Sequence, residues 1–318
     1  MKIIEILDRA TEPLISFEII PPYRGKSATH VYNIIDELIK FSPPFIDVTS
    51  HAAAPIYLEQ GDGSFKRKST RKRPGTIGLC AAIKYRYSVE TVPHILCGGF
   101  NRQETEDALI ELSYLGIDNV LAITGDTKSD SRMGIVAKPV NNFSVDLVNQ
   151  ISAMNEGKYQ DEVLDSAKSD FCIGVGAYPE KHPQSPSIEQ DIRYLKAKID
   201  AGADYIVTQM FFNNSDYFNF VELCRLNDIN VPIIPGIKLI TKLNQLISLP
   251  KHFSVNIPDD LVREMESVES DKHKGAIGIE FTIRQCEELI QAGVPALHFY
   301  VMQDVKSIKQ IVSTLKKY

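Results

Sequence analysis

The chain has 318 residues, with 35 Lys+Arg against 41 Asp+Glu for a formal net charge of −6, and 43% hydrophobic against 24% charged residues. That apolar fraction excludes a disordered chain, and no stretch approaches the roughly 18 consecutive apolar residues of a membrane helix. A pI near 5.7 argues against a nucleic-acid binder, which would usually be basic.

In chain order, the opening Met-Lys-Ile-Ile-Glu-Ile-Leu-Asp-Arg carries acids inside its apolar stretch and is not read as a signal peptide. Strands are predicted at 14–20, 45–49, 90–97, 119–124, 171–176, 205–209, 231–236 and 296–301, all rich in Ile, Val and Phe. They lack strict alternation, as strands covered on both faces of a parallel sheet do. Residues 50–75, with Gly61, Gly63 and the basic run 66–73, are expected to be a solvated loop, with a phosphate or polyanion site as the alternative. Asn101 three residues before Glu104 opens a helix with Ala108, Leu112 and Leu115 on one face, stopped by Gly116. A long loop is expected over 127–143. Ser187 with Gln190 opens another helix, with Ile188, Ile192, Leu195 and Ile199 as its core stripe and Gly202 at its end. Helices are also predicted from Asp216 and Ile308, and extra helices over 251–292. The alternation predicts one α/β domain over 1–318, a (β/α)8 TIM barrel with extra helices before the last strand; a doubly wound open sheet is the alternative. Five scattered cysteines, Cys80, Cys97, Cys172, Cys224 and Cys286, favour a reducing, cytoplasmic setting.

In such a barrel chemistry gathers where strands end. The first strand offers Glu18, flanked by apolar residues that disfavour its charged form, as a general acid requires; pairing with a base on a neighbouring strand is the equal alternative. The following strand ends offer Thr49, His94, Gly125-Asp126, the segment Tyr178 to Pro183, Gln209 and Gln303. Taken singly, His94 reads more readily as a core histidine and Asp126 as a turn carboxylate. Asp191, Tyr194 and Lys198 fall on one stripe of the Ser187 helix, suited to a polyol and pyrophosphate or simply exposed. No phosphate loop, dinucleotide fingerprint, zinc motif or nucleophile elbow is present, and no metal site is expected.

Together these segments resemble the methylenetetrahydrofolate reductase family, in its bacterial form made of the catalytic barrel. The resemblance rests on Ser16-Phe17-Glu18-Ile19-Ile20-Pro21-Pro22, Asp47-Val48-Thr49, Pro93-His94-Ile95-Leu96-Cys97, Gly125-Asp126, Ala177-Tyr178-Pro179-Glu180-Lys181-His182-Pro183, Asp200-Ala201-Gly202-Ala203-Asp204, Thr208-Gln209-Met210-Phe211-Phe212, Ile233-Ile234-Pro235-Gly236-Ile237 and His298-Phe299-Tyr300, in the family's order. It implies FAD as cofactor, 5,10-methylenetetrahydrofolate as substrate, NADH or NADPH as electron donor in a ping-pong cycle, and a homo-oligomer without membrane or nucleic-acid partners. It implies Glu18 as the general acid and Asp126 as a charge near flavin and pterin. FAD contacts are implied at Ser50, Ala52, His94, Thr124, Gly125, Asp126, Phe143, Tyr178, His182, Asp191, Tyr194 and Lys198. Thr49 matches a nicotinamide contact; Gln209 and Gln245 match folate contacts, Gln209 meeting the nicotinamide as well. The regulatory domain of eukaryotic relatives, which binds S-adenosylmethionine, is expected to have no counterpart. Departures stand at Thr124, Ala197 and Asp304, where relatives carry basic residues, and at Ser50-His51. A non-catalytic or weakly flavin-binding subunit is the alternative these departures motivate. A Schiff-base lyase would need a strand lysine, whereas Lys84 and Lys238 lie outside the predicted strands.

Overall fold

The computed structural model describes residues 1–125, 140–302 and 304–316. The long loop expected over 127–143 therefore lies mostly outside the described residues, as do Asp126 and Gln303. Eight parallel strands close into a barrel: β1 (Leu14–Ile19), β2 (Phe45–Val48), β5 (Glu90–Leu96), β6 (Asn119–Ile123), β7 (Cys172–Ala177), β8 (Tyr205–Met210), β9 (Ile233–Ile237) and β10 (Ala296–Tyr300). Each is one of the predicted runs, with ends shifted by a residue or two.

Alternation along the strands sorts the core into two parts. Phe17, Ile46, Val48, Val120, Ala122, Val175, Ile206 and Phe299 face outward and pack under the surrounding helices. Phe45, Val92, Leu121, Cys172, Tyr205, Val207, Ile234 and Ala296 fill the barrel interior, where they meet Ile3 and Leu7. Those two residues belong to α1 (Ile3–Arg9), a helix that the sequence reading did not assign. Asn119, at the first position of β6, ties α1 down: its side chain accepts from Ile3 N–H at 2.9 Å and donates to the Met1 carbonyl at 2.9 Å. The N-terminal segment thus plugs the end of the barrel away from the strand C-termini.

The helix punctuation holds where it was read. Asn101 accepts from Glu104 N–H in a capping box that starts α4 (Arg102–Tyr114), and Ser187 accepts from Gln190 N–H to start α6 (Ile188–Asp200). Gly116 and Gly202 take positive φ, +61° and +113°. The extra helices before β10 are α8 (Leu243–Phe253), α9 (Asp259–Glu266) and α10 (Asp271–Gln291), joined by a satellite core of Met210, Phe212, Ile240, Leu249, Leu261 and Met265.

The expectation for 50–75 is corrected. This segment is an antiparallel hairpin, β3 (Ala54–Glu59) with β4 (Phe65–Thr70), followed by α3 (Thr76–Tyr87). The basic residues Lys66, Arg67 and Lys68 that suggested a solvated loop follow one another in β4, exposed on both faces of the ribbon, and the turn residues Gly61 and Gly63 close the hairpin. Its base is clamped at the barrel mouth: Arg73 donates to the Pro21 carbonyl at 2.5 Å and lies over the Tyr23 ring, while Arg71 lies over Phe100. Among the described residues no helix is long and apolar enough to cross a membrane.

Candidate active site at the barrel mouth

The strands bring Glu18, Asp47, Thr49, His94, Gln209 and Tyr300 to one end. Glu18 is the fifth residue of β1, paired in register with Asp47 of β2 and Tyr300 of β10. Its side chain is 13% exposed and its Oε2 stands 3.5 Å from His94 Nε2. The same nitrogen is 3.5 Å from Oδ2 of Asp47, which is fully buried. One layer deeper, Ser16 Oγ and His298 Nδ1 are 2.8 Å apart, both inside the barrel. The sequence alternatives for Glu18 and His94 thus merge: the acid does meet a base, a core histidine shared with a second acid.

Electrostatics in this layer oppose charge. Burial pushes the Asp47 carboxyl from 3.8 up to about 7, with His298 pulling the other way. Burial lowers the His298 imidazole, and Asp47 partly restores it. Beneath Glu18 lies a buried carboxyl that exchanges its proton near neutral pH, beside an imidazole whose charged form burial disfavours.

Asp47 carries a stability prediction. Between about pH 4 and 7 the folded chain keeps a proton there that the unfolded chain has released. Its stabilising contribution is therefore full below pH 4 and lost as pH rises through 7. Asp47→Asn cannot ionise, so its stability advantage over the parent should grow between pH 4 and 7, to the order of a few kcal/mol, and stay level above. Thermal unfolding of both chains at pH 5 and pH 8 measures this; an equal gap at both pH values would show that Asp47 titrates normally.

β8 delivers Gln209 through an irregularity. Val207 pairs with Ile234 but Met210 with Gly236, so β8 holds one extra residue. Thr208 mends the ladder, its hydroxyl accepting from Gly236 N–H at 3.0 Å and its carbonyl from Tyr300 O–H at 2.6 Å. Gln209 Oε1 accepts from Met210 N–H at 2.9 Å. Gln245 is turned to its own loop, Oε1 accepting from Thr241 and Lys242 N–H at 2.8 and 2.9 Å. It nevertheless lines a cavity of about 520 Å³ with Lys238, Tyr300 and Asp304.

The residues expected to hold a flavin dinucleotide cluster on the β5–β6–β7 side. Above Cys172, the inward positions of β7 are the glycines Gly174 and Gly176. A Cβ on Gly174 would overlap the Tyr205 ring, but one on Gly176 would meet only Ile123 Cγ2, at 3.5 Å. The barrel wall above Tyr205 is bare, a surface on which a planar ring can lie. Gly125 follows β6 with φ +86°, a conformation that suits glycine. Lys198 of α6 donates to the Gly176 carbonyl at 2.6 Å, and burial pushes its ammonium down to about 8 despite Asp191. Asp191 accepts from His182 N–H and Ser185 O–H, both at 2.7 Å, and Tyr178 meets His182 edge to face at 4.6 Å. Asp191 thus orders the β7–α6 loop, while Tyr194 is 53% exposed on the same helix. Thr49 Oγ1 is buried without a hydrogen-bond partner among the described residues. Ala52 packs against Gly99, and Phe143, before α5 (Ser144–Asn155), is exposed. A bare wall, a buried cation, an unused hydroxyl and an exposed aromatic fit a flavin with its pyrophosphate and adenine.

Sequence reasoning missed Ser16, Asp47, His298 and Lys238. The signal was spacing by two: Ser16 with Glu18, Asp47 with Thr49, and His298 with Tyr300 share the inward face of their strands.

Comparison with known proteins agrees with this geometry. The family model described as methylenetetrahydrofolate reductase matches residues 2–316. Methylenetetrahydrofolate reductase 1 of Schizosaccharomyces pombe is 31% identical over 302 residues, covering 94% of this chain and 45% of that protein. Methylenetetrahydrofolate reductase 2 of Saccharomyces cerevisiae is 31% identical, covering 99% of this chain and 50% of that protein. The chain therefore spans about half the length of these relatives. The 5,10-methylenetetrahydrofolate reductase of Buchnera aphidicola is 31% identical over 291 residues, covering 91% of this chain and 86% of that one. With a barrel mouth built around Glu18 and a match that runs almost from end to end, the chain belongs to the methylenetetrahydrofolate reductase family.

Proposed function

We propose that this chain binds FAD and reduces 5,10-methylenetetrahydrofolate to 5-methyltetrahydrofolate with electrons from NADH or NADPH. The observation that carries the reading is a nearly buried carboxyl, Glu18, held against His94 at the mouth of a barrel with a bare glycine wall. FAD, when bound, supplies the hydride chemistry. Glu18 then protonates a ring nitrogen of the folate imidazolidine, which opens the ring to the electrophilic iminium. His94 and Asp47 beneath it keep a proton within reach of that carboxyl. Gln209, a neutral amide on the β8 bulge, suits both nicotinamide and pterin, which occupy the mouth in turn. Asp126, assigned by resemblance, adds negative charge that favours the iminium. The five cysteines are buried free thiols, which supports a cytoplasmic setting.

Stopped-flow mixing tests the reading. Protein loaded with FAD should lose its flavin absorbance on addition of NADH or NADPH and regain it on addition of the folate. A protein that stays colourless after FAD addition is the non-catalytic alternative, and it would end the proposal. Lys198→Met removes the buried cation and should weaken FAD binding by roughly 10- to 100-fold, the equivalent of one charge-assisted hydrogen bond. Equilibrium dialysis with FAD reads this directly.

A further inference from the structure

Lys238 is the residue after β9, and the register places it in the mouth. His298 pairs with Gly236 and Phe299 with Ile237, so the next pair is Tyr300 with Lys238. Tyr300 in turn pairs with Glu18 across β10 and β1. Glu18, Tyr300 and Lys238 therefore form one row over three adjacent strands, with acid and amine about 10 Å apart at their backbones. The Lys238 ammonium donates to the Tyr300 carbonyl at 3.4 Å and lines the cavity shared with Gln245 and Asp304.

We infer that Lys238 is a positioning residue for Glu18: the two side chains face each other across the β1–β10–β9 row and hold protons as one coupled acid–amine unit. Among the described residues, the charged and titratable groups around Lys238 are Glu18 from β1, Tyr300 from β10, Asp304 ahead of α11 (Val305–Leu315) and Lys242 ahead of α8; His94 and Asp47 stand behind Glu18. Burial brings the Lys238 amine down to about 8, and Glu18, ahead of Asp304, is the larger charge holding it up. An amine so poised is cationic in part of the enzyme at working pH. Through Coulomb attraction it favours the Glu18 carboxylate, and so fixes how far up the pH scale Glu18 still carries its proton.

The inference rests on the proposed acid role of Glu18, so its test has two arms. In the first, the protein without folate or nicotinamide is acetylated with trace acetic anhydride over a pH series, and labelling of Lys238 is read by mass spectrometry. Coupling predicts that Glu18→Gln moves the Lys238 midpoint down by about half a unit to one unit, raising its labelling near pH 7 by roughly 2.5- to 5-fold, with a smaller shift in Asp304→Asn. An unchanged midpoint in Glu18→Gln would overturn the pairing. In the second arm, the limb of the folate half-reaction that falls with rising pH should move upward by a similar amount in Lys238→Met and stay in place in Lys238→Arg. A limb unmoved in Lys238→Met would also overturn it. The arms separate the two ideas, because labelling still responds to Glu18→Gln if the chain reduces no folate at all.

Discussion

Glu18→Gln should abolish folate reduction while leaving flavin reduction by the nicotinamide close to the parent rate. Glutamine keeps the size of the side chain and its place between Asp47 and Tyr300 in register, but has no proton to transfer. General acid catalysis is typically worth about 10²- to 10⁴-fold, and the folate half-reaction should fall by that amount. The nicotinamide half-reaction needs no such proton, so stopped-flow traces of the two halves should diverge. Equal losses in both would mean that Glu18 shapes the mouth rather than acting as its acid. Because His94 stands 3.5 Å from both Glu18 and Asp47, the substitution should also change the histidine's titration, which NMR of labelled histidine can follow.

The largest stability effect is expected far from the chemistry, at Gly278→Ala in α10. In an ordinary helix interior this exchange stabilises by up to about 1 kcal/mol, since glycine is the poorer helix former. Here a Cβ would overlap the carbonyl oxygen of Ile240, a backbone atom on the segment between β9 and α8. Backbone cannot swing aside as a flexible side chain can, so helix and segment must separate and unpack the satellite core around Ile240 and Met265. A loss of roughly 3 kcal/mol or more is expected, a fall in Tm of about 5 °C or more. Gly275→Ala is the matched control: in the same helix its Cβ would meet nothing within 4 Å, so the intrinsic preference should win and Tm should hold or rise. Identical behaviour of the two variants in thermal unfolding would refute the close approach.

Both predictions concern residues that a reading of the chain treats unequally. Glu18 was legible because two prolines end its strand directly, placing the carboxyl at a strand terminus whatever the rest of the fold does. Gly278 was silent, since nothing local distinguishes it from Gly275; only the approach of a segment some forty residues away separates them. The hairpin 54–70 was misread for a similar reason. Its cations describe a solvated surface equally well as loop or strand, and the cross-strand pairing that decides between them is not a property of either strand alone. Lys238 was set aside as lying outside a strand, yet one position past β9 it still follows the inward alternation begun by Ile234 and Gly236.

Local chemistry, then, fixed the eight strand runs, the capped starts of α4 and α6, and the family segments with Glu18 among them, because apolar runs, caps and strand-ending prolines act within a few residues. Tertiary structure alone decided that α1 seals the barrel floor, that Asp47 is driven toward neutral pH, and that Glu18 shares its mouth with Lys238. Those outcomes depend on burial and charge at short range in space between residues remote along the chain, and such distances exist only once the barrel has closed.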